Sequence, residues 1–195
     1  MDYIKISTED LLDWLKKNLC EERYEHSLGT AECAKMLAEK YNLDSEKAYV
    51  AGLLHDCAKC FSNEKLLAII DKNLDIEEIE KMNCKTLHAP VSAYIAKTEF
   101  GVDDEEILSS IRWHTIGKIG MSDFEKIIFL ADKIEARTRE ESCAGPIRTL
   151  LFEDNGLHKA LLQCYKQTIK SLVDRDLTIC PMTIDIYNSL QAKVK

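Results

Sequence analysis

The 195 residues carry a formal charge of −8 and are 46% hydrophobic, which excludes a broad nucleic-acid or anionic-membrane face, because any phosphate ligand must then be met by a local cluster of cations. The size suits one domain with a continuous core. No apolar run approaches the roughly 20 residues of a membrane span, and the start, Met1-Asp2-Tyr3-Ile4-Lys5, shows no apolar signal core, so the expectation is a single cytoplasmic domain over 1–195.

Leu11, Leu12, Leu15 and Leu19 recur at helical spacing behind Ser7-Thr8, which reads as an N-terminal cap for the first helix. A second helix carries His26, Ala34, Leu37 and Tyr41 on an apolar stripe. A third opens after Asp44-Ser45, and its apolar stretch from Ala48 to Leu54 ends at His55-Asp56. Pro90 suits the first turn of a helix through Val91, Tyr94 and Ile95 that stops at Gly101. Asp103 is expected to cap the next helix, which places Ile107, Ile111 and His114 on one face. Ser122-Asp123-Phe124-Glu125 is a capping box, and its helix turns Phe124, Ile128, Ala131 and Asp132 inward. Leu157, Leu161, Tyr165 and Leu172 share one side of a further helix, and Pro181 opens a short last one. The acidic runs 76–80 and 103–106 read as solvated faces and caps. With no period-two alternation between turn signals, the fold class is all-α.

Four of the five histidines, His26, His55, His88 and His114, stand beside apolar helix faces, at places where a helix begins or ends. Neighbours on a helix point about 100° apart, so His55 and Asp56 reach one ion together only where the helix end turns them toward it. His26 and Asp132, from two other helices, can supply the remaining protein ligands. Mixed imidazole and carboxylate donors with open positions suit a catalytic divalent or ferrous ion that acidifies water and polarises a phosphoryl oxygen. His158 reads as solvated or packed. Eight cysteines without a secretion signal read as reduced thiols. Cys57-x-x-Cys60 with Cys84 and His88 has zinc-site spacing, and supports the competing expectation of a non-enzymatic, zinc-stabilised interaction domain.

The order His26, His55-Asp56, Asp132 on a helical background resembles the HD superfamily of metal-dependent phosphohydrolases. Arg23 with His26-Ser27, Leu54-His55-Asp56-Cys57-Ala58-Lys59, Leu87-His88-Ala89-Pro90-Val91 and the stretch from Ile111 to Glu135 are more specific. They resemble the bacterial YqeK family of symmetrical diadenosine tetraphosphate hydrolases, which yield two ADP. The resemblance runs from Arg23 to Arg139, with a weaker tail at Ile179–Thr183 and Tyr187-Asn188.

It implies a single HD-type domain with core motifs at about 23–139 and C-terminal helices over 146–195 packed on it. It further implies an iron-type ion, with manganese, magnesium or zinc as alternatives, held by His26, His55, Asp56 and Asp132. Asp56, His88 and His114 are the implied catalytic set, the two histidines facing phosphates or holding a second ion. Arg23, Lys59, Gly120 and Met121 are implied to line the nucleotide site together with His26, and 179–183 to close over the base. Two departures stand out: Ile116 replaces a second threonine, and Ala136 replaces a proline that the family follows with arginine. The phosphate arginine is then Arg137 or Arg139, with Arg137 preferred. Of the cations near the metal residues, Lys59 lies one helical turn past His55 and reads as a phosphate partner, whereas Arg112 and Lys118 read as solvated. The expected partners are the nucleotide substrate and its ADP product, with no nucleic acid and no membrane; a homodimer is left open. A related phosphohydrolase acting on another nucleotide is the alternative within the class.

Overall fold

Five helix starts carry side-chain caps. Ser7, Asp44, Ser62, Asp104 and Ser122 accept backbone N–H groups from the turns that open α1 (Thr8–Asn18), α3 (Ser45–Leu54), α4 (Asn63–Asn73), α6 (Glu105–Trp113) and α7 (Asp123–Ile134). At α7 the box is reciprocal: Ser122 Oγ accepts from Glu125 N–H at 3.2 Å, and Glu125 Oε2 accepts from Ser122 N–H at 2.9 Å. The other helices are α2 (Glu21–Lys40), α5 (His88–Thr98), α8 (Glu141–Leu150), α9 (Gly156–Asp174) and α10 (Pro181–Val194). This computed structural model describes residues 2–76 and 84–194, with side chains to Ala192. Among them there are ten α-helices, a 3-10 turn at Cys84–Thr86 and no strand, so the all-α expectation holds. No helix among the described residues is long and apolar enough to cross a membrane.

Two details differ from the sequence reading. Asp104, not Asp103, caps α6, its Oδ1 accepting from Glu106 and Ile107 N–H at 2.9 and 3.0 Å, while Asp103 is drawn out to Lys5 at 2.6 Å. Helix α4 was not anticipated, although Ser62 and the buried Leu66 and Ile70 mark it. The acidic run 76–80 lies, from 77 onward, outside the described residues.

Helices α3 and α7 form the centre, packed against each other and against α2 and α6. Leu53, Leu54, Ile127, Ile128 and Leu130 are fully buried there, each worth roughly 1.5–3 kcal/mol of apolar burial. Glycine sets the α2–α3 spacing: a Cβ at Gly52 would lie 2.6 Å from Ala31 Cα. That close crossing brings the end of α3 against the first half of α2. The C-terminal helices α8, α9 and α10 stack in sequence, with α8 and α9 also on α7. Tyr165 of α9 stacks on Phe129 at 5.3 Å and donates to Ile116 carbonyl oxygen at 2.8 Å, holding down the loop after α6. Gly117, at φ 80°, sits where a Cβ would strike that hydroxyl, so backbone conformation and packing both call for glycine there.

Candidate metal and phosphate site

Helix α3 stops at Leu54, and residues 55–60 continue as turns. His55 occupies the C-cap, and its Nδ1 donates to Gly52 carbonyl oxygen at 2.7 Å. His114, C-cap of α6, does the same to Ile111 carbonyl oxygen at 2.7 Å. With Nδ1 committed in this way, each ring presents Nε2 as a bare lone pair. His88 opens α5, and His26 lies one turn into α2. These four imidazoles and two carboxylates are all buried.

His55 Nε2 sits 3.8 Å from Asp56 Oδ2 and 3.8 Å from Asp132 Oδ1, midway between the two acids. On one side His26 Nε2 lies 2.9 Å from Asp132 Oδ1 and 3.3 Å from His55 Nε2. On the other side His88 and His114 Nε2 approach Asp56 Oδ1 at 2.9 and 3.2 Å and each other at 3.3 Å. Despite those distances, Asp56 Oδ1 is buried without a hydrogen bond; a buried acceptor facing lone pairs is what a cation site presents. Two donor groups follow: His26, His55 and Asp132, and His55, Asp56 and His114. The residues present therefore fit a divalent ion.

The electrostatics agree. Burial pushes the His55 imidazole down to about 3 and His88 to about 4, so both rings are neutral. Burial also opposes ionisation of Asp56 and Asp132, yet both are held well below the usual carboxylate range, Asp56 by its surrounding histidines and Asp132 chiefly by Lys133 and His26. His26 is raised, because hydrogen bonds to Asp132 and Glu135 outweigh its burial.

Four cations rim this centre in two pairs. Arg23 and Lys59 stand 3.6 and 3.7 Å from Asp56, and Lys133 and Arg139 each 2.6 Å from Asp132. Their side chains are 31, 27, 31 and 32% exposed, against 3 and 6% for the two acids. They therefore mark the open mouth of the site. Lys59 Nζ also reaches His88 Nε2 at 2.9 Å, and burial lowers its ammonium.

The structure brings together His26, His55, Asp56, Lys59, His88, His114, Asp132 and Arg23. It does not bring Arg137. That guanidinium grips Glu25 at 2.6 Å and Glu32 at 2.5 Å on the outer face of α2. There it borders a groove of about 580 Å³ lined also by Met36, Leu37, Leu151 and Phe152. Arg139 is the arginine at the centre, with Nη2 3.2 Å from His26 Nε2 and Nε donating to Asp132 carbonyl oxygen at 2.7 Å, so the preference between the two is reversed. Gly120, at φ 76°, is open and exposed, and Met121 is buried; both belong to the loop that follows His114. Lys118 pairs with Glu125 at 2.7 Å. The segment 179–183 leads into α10.

The zinc alternative finds no support. Cys57 is buried and donates to Ser92 carbonyl oxygen at 3.7 Å, Cys60 is exposed beside Cys20 at 4.0 Å, and Cys84 is exposed. No metal-type donor group among the described residues includes a cysteine. Sequence reasoning missed Lys133 and gave no role to Glu135, whose Oε1 lies 3.1 Å from His26 Nδ1. Both lie within one turn of Asp132, which was the available signal.

A buried imidazole–carboxylate centre at converging helix ends, rimmed by cations, defines an all-α hydrolase of the metal-dependent phosphohydrolase class. The HD domain family matches residues 23–137. The chain is 37% identical over 185 residues to the symmetrical bis(5'-nucleosyl)-tetraphosphatase of Bacillus subtilis (strain 168), covering 95% of this chain and 98% of that protein. It is also 37% identical over 173 residues to the protein of the same description from Staphylococcus aureus (strain NCTC 8325 / PS 47), covering 89% of each. A crystal structure from Clostridium acetobutylicum, described as a predicted HD superfamily hydrolase involved in NAD metabolism, matches with a TM-score of 0.89. It is 39% identical, over 96% of this chain and 98% of that one. The chain belongs to the HD domain family, in the branch that holds these symmetrical tetraphosphatases.

Proposed function

We propose that the protein hydrolyses diadenosine tetraphosphate to two ADP. A divalent ion, iron in this reading, is held by His26, His55, Asp56 and Asp132. Bound there, the ion supplies Lewis acidity toward water and the phosphoryl group. The protein's own groups do the rest. His55 is locked as a neutral ligand by its bond to Gly52. Lys59 donates to phosphate oxygens as charge builds there when the P–O bond breaks, while His88 and His114 converge on Asp56 Oδ1 and present Nε2 as proton acceptors. Arg23 with Lys59 and Lys133 with Arg139 give up carboxylate contacts to grip the polyphosphate. One water is consumed and one phosphoanhydride broken, between the two inner phosphorus atoms.

The observation that carries this reading is the placement of His55 Nε2 at 3.8 Å from both acids, each acid bearing its own pair of cations. A tetraphosphate centred on such a site presents its middle bond. Metal-reconstituted protein incubated with diadenosine tetraphosphate, ATP and NAD is expected to convert the first to ADP alone, resolved by ion-exchange chromatography. AMP plus ATP, or NAD consumed in preference, would overturn the assignment.

A further inference from the structure

His26 has a second ring nitrogen, turned away from Asp132 and His55. That Nδ1 lies 3.1 Å from Oε1 of Glu135, a glutamate with no exposed surface. A buried carboxylate is costly unless its oxygens are satisfied, and here the chain folds around it. Glu135 is the C-cap of α7, with φ −56° and ψ 153° ending the helix. The next residues turn back so that Arg137 N–H donates to Oε2 at 2.6 Å and Thr138 N–H to both oxygens at 3.1 Å. The Thr138 hydroxyl donates to Oε1 as well. Together with His26 Nδ1 these donors satisfy both oxygens of the carboxylate inside the fold.

The facing helix has made room for it. Gly29 stands on α2 one turn after His26, and a Cβ there would fall inside van der Waals contact of Glu135 Oε2 and 3.2 Å from Arg137 Cβ. Glycine in a helix interior costs roughly 1 kcal/mol relative to alanine, and its φ is not in the left-handed region. Backbone conformation therefore does not require Gly29; the space taken by the carboxylate does.

We propose that Glu135 is the positioning residue of the metal centre, and that Gly29 and Thr138 exist to seat it. An imidazole can ligate through Nε2 only when its remaining proton is on Nδ1. A fixed anion at Nδ1 selects that tautomer, orients the ring and raises the basicity of Nε2. Of the ligand histidines, His55 is oriented by a backbone carbonyl at a helix end, which any sequence supplies; His26, one turn inside α2 where helical hydrogen bonds engage the carbonyls, needs a side chain. This role rests on the reading of His26 as a ligand.

The test is Mn(II) affinity, measured by chelator competition on metal-stripped protein, independent of turnover. Glu135→Ala is expected to weaken binding about 10–100-fold. Glu135→Gln, whose amide oxygen still accepts from Nδ1, should lose less. Gly29→Ala should weaken binding in the wild-type background by displacing the carboxylate, and produce no further loss on top of Glu135→Ala. If Glu135→Ala does not fold, Glu135→Gln and Gly29→Ala carry the comparison. Glu135→Ala binding within about twofold of wild type, or Gly29→Ala weakening binding equally in both backgrounds, overturns the proposal. Wild-type protein that binds no Mn(II) overturns this role together with the metal reading. Binding without diadenosine tetraphosphate hydrolysis sinks the substrate assignment alone and leaves Glu135 judged by its affinities.

Discussion

Removing the ion and acidifying the protein should destabilise it well before its carboxylates titrate. In the folded chain His55 and His88 are neutral, pushed down to about 3 and about 4 by burial, against an ordinary 6.5. An unfolded chain takes up protons on both rings below about pH 6.5, and the folded chain does not. Their contribution is therefore complete above the unfolded value and is lost as pH falls toward the folded ones. Integrated from about pH 6.5, where the unfolded rings are half protonated, to about pH 5, the loss is roughly 1.6 kcal/mol per ring, about 3 kcal/mol for the two. That is a large share of the roughly 5–15 kcal/mol a domain possesses. His26 runs the other way: raised by Asp132 and Glu135, its contribution is fully present below the unfolded value and disappears as pH rises through the folded one. It adds no slope inside the acid window. Urea midpoints of metal-stripped protein at about pH 6.5 and about pH 5 measure the loss, and His88→Gln, which deletes one of the two titrating rings, should halve it. A midpoint that is flat or rises on acidification, or a full slope in His88→Gln, refutes the reasoning.

Arg139→Gln should lower kcat/KM by about 10²-fold, since its guanidinium bonds Asp132 and touches His26 at the mouth of the site. Arg137→Gln should stay within about threefold, because an exposed ion pair with Glu25 and Glu32 is worth little; equal losses, or the reverse order, would restore Arg137 as the phosphate arginine. His114→Ala should retain one ion per chain while turnover falls about 10²-fold. An ion lost on titration would make His114 a ligand, and unchanged turnover would make it a core residue.

Helices were legible because their signals are local. The Ser122 box, Asp44 and Ser7 each act within one turn, and a sequence displays a turn completely. The Asp103–Asp104 choice was not local: either aspartate can cap, and the decision belongs to Lys5, which holds Asp103 in an ion pair 98 residues away in sequence. The clustering of His26, His55, Asp56 and Asp132 was legible for a chemical reason. Imidazoles and carboxylates beside apolar helix faces are costly to bury, and an ion is one of the few things that offsets that cost for several at once.

The cations followed the opposite logic. Arginine is cheap on a surface, so its presence two residues either way says nothing about direction. Arg137 and Arg139 flank Thr138 on the turn that wraps Glu135, and they leave that turn on opposite sides. Glu25 and Glu32, on a helix more than a hundred residues earlier in the chain, capture the first. The second is left to Asp132, near the end of α7. The same turn that seats the Glu135 carboxylate beneath His26 therefore also delivers Arg139 to the mouth of the site. A change in its length would unseat the carboxylate beneath His26 and the guanidinium beside Asp132 together.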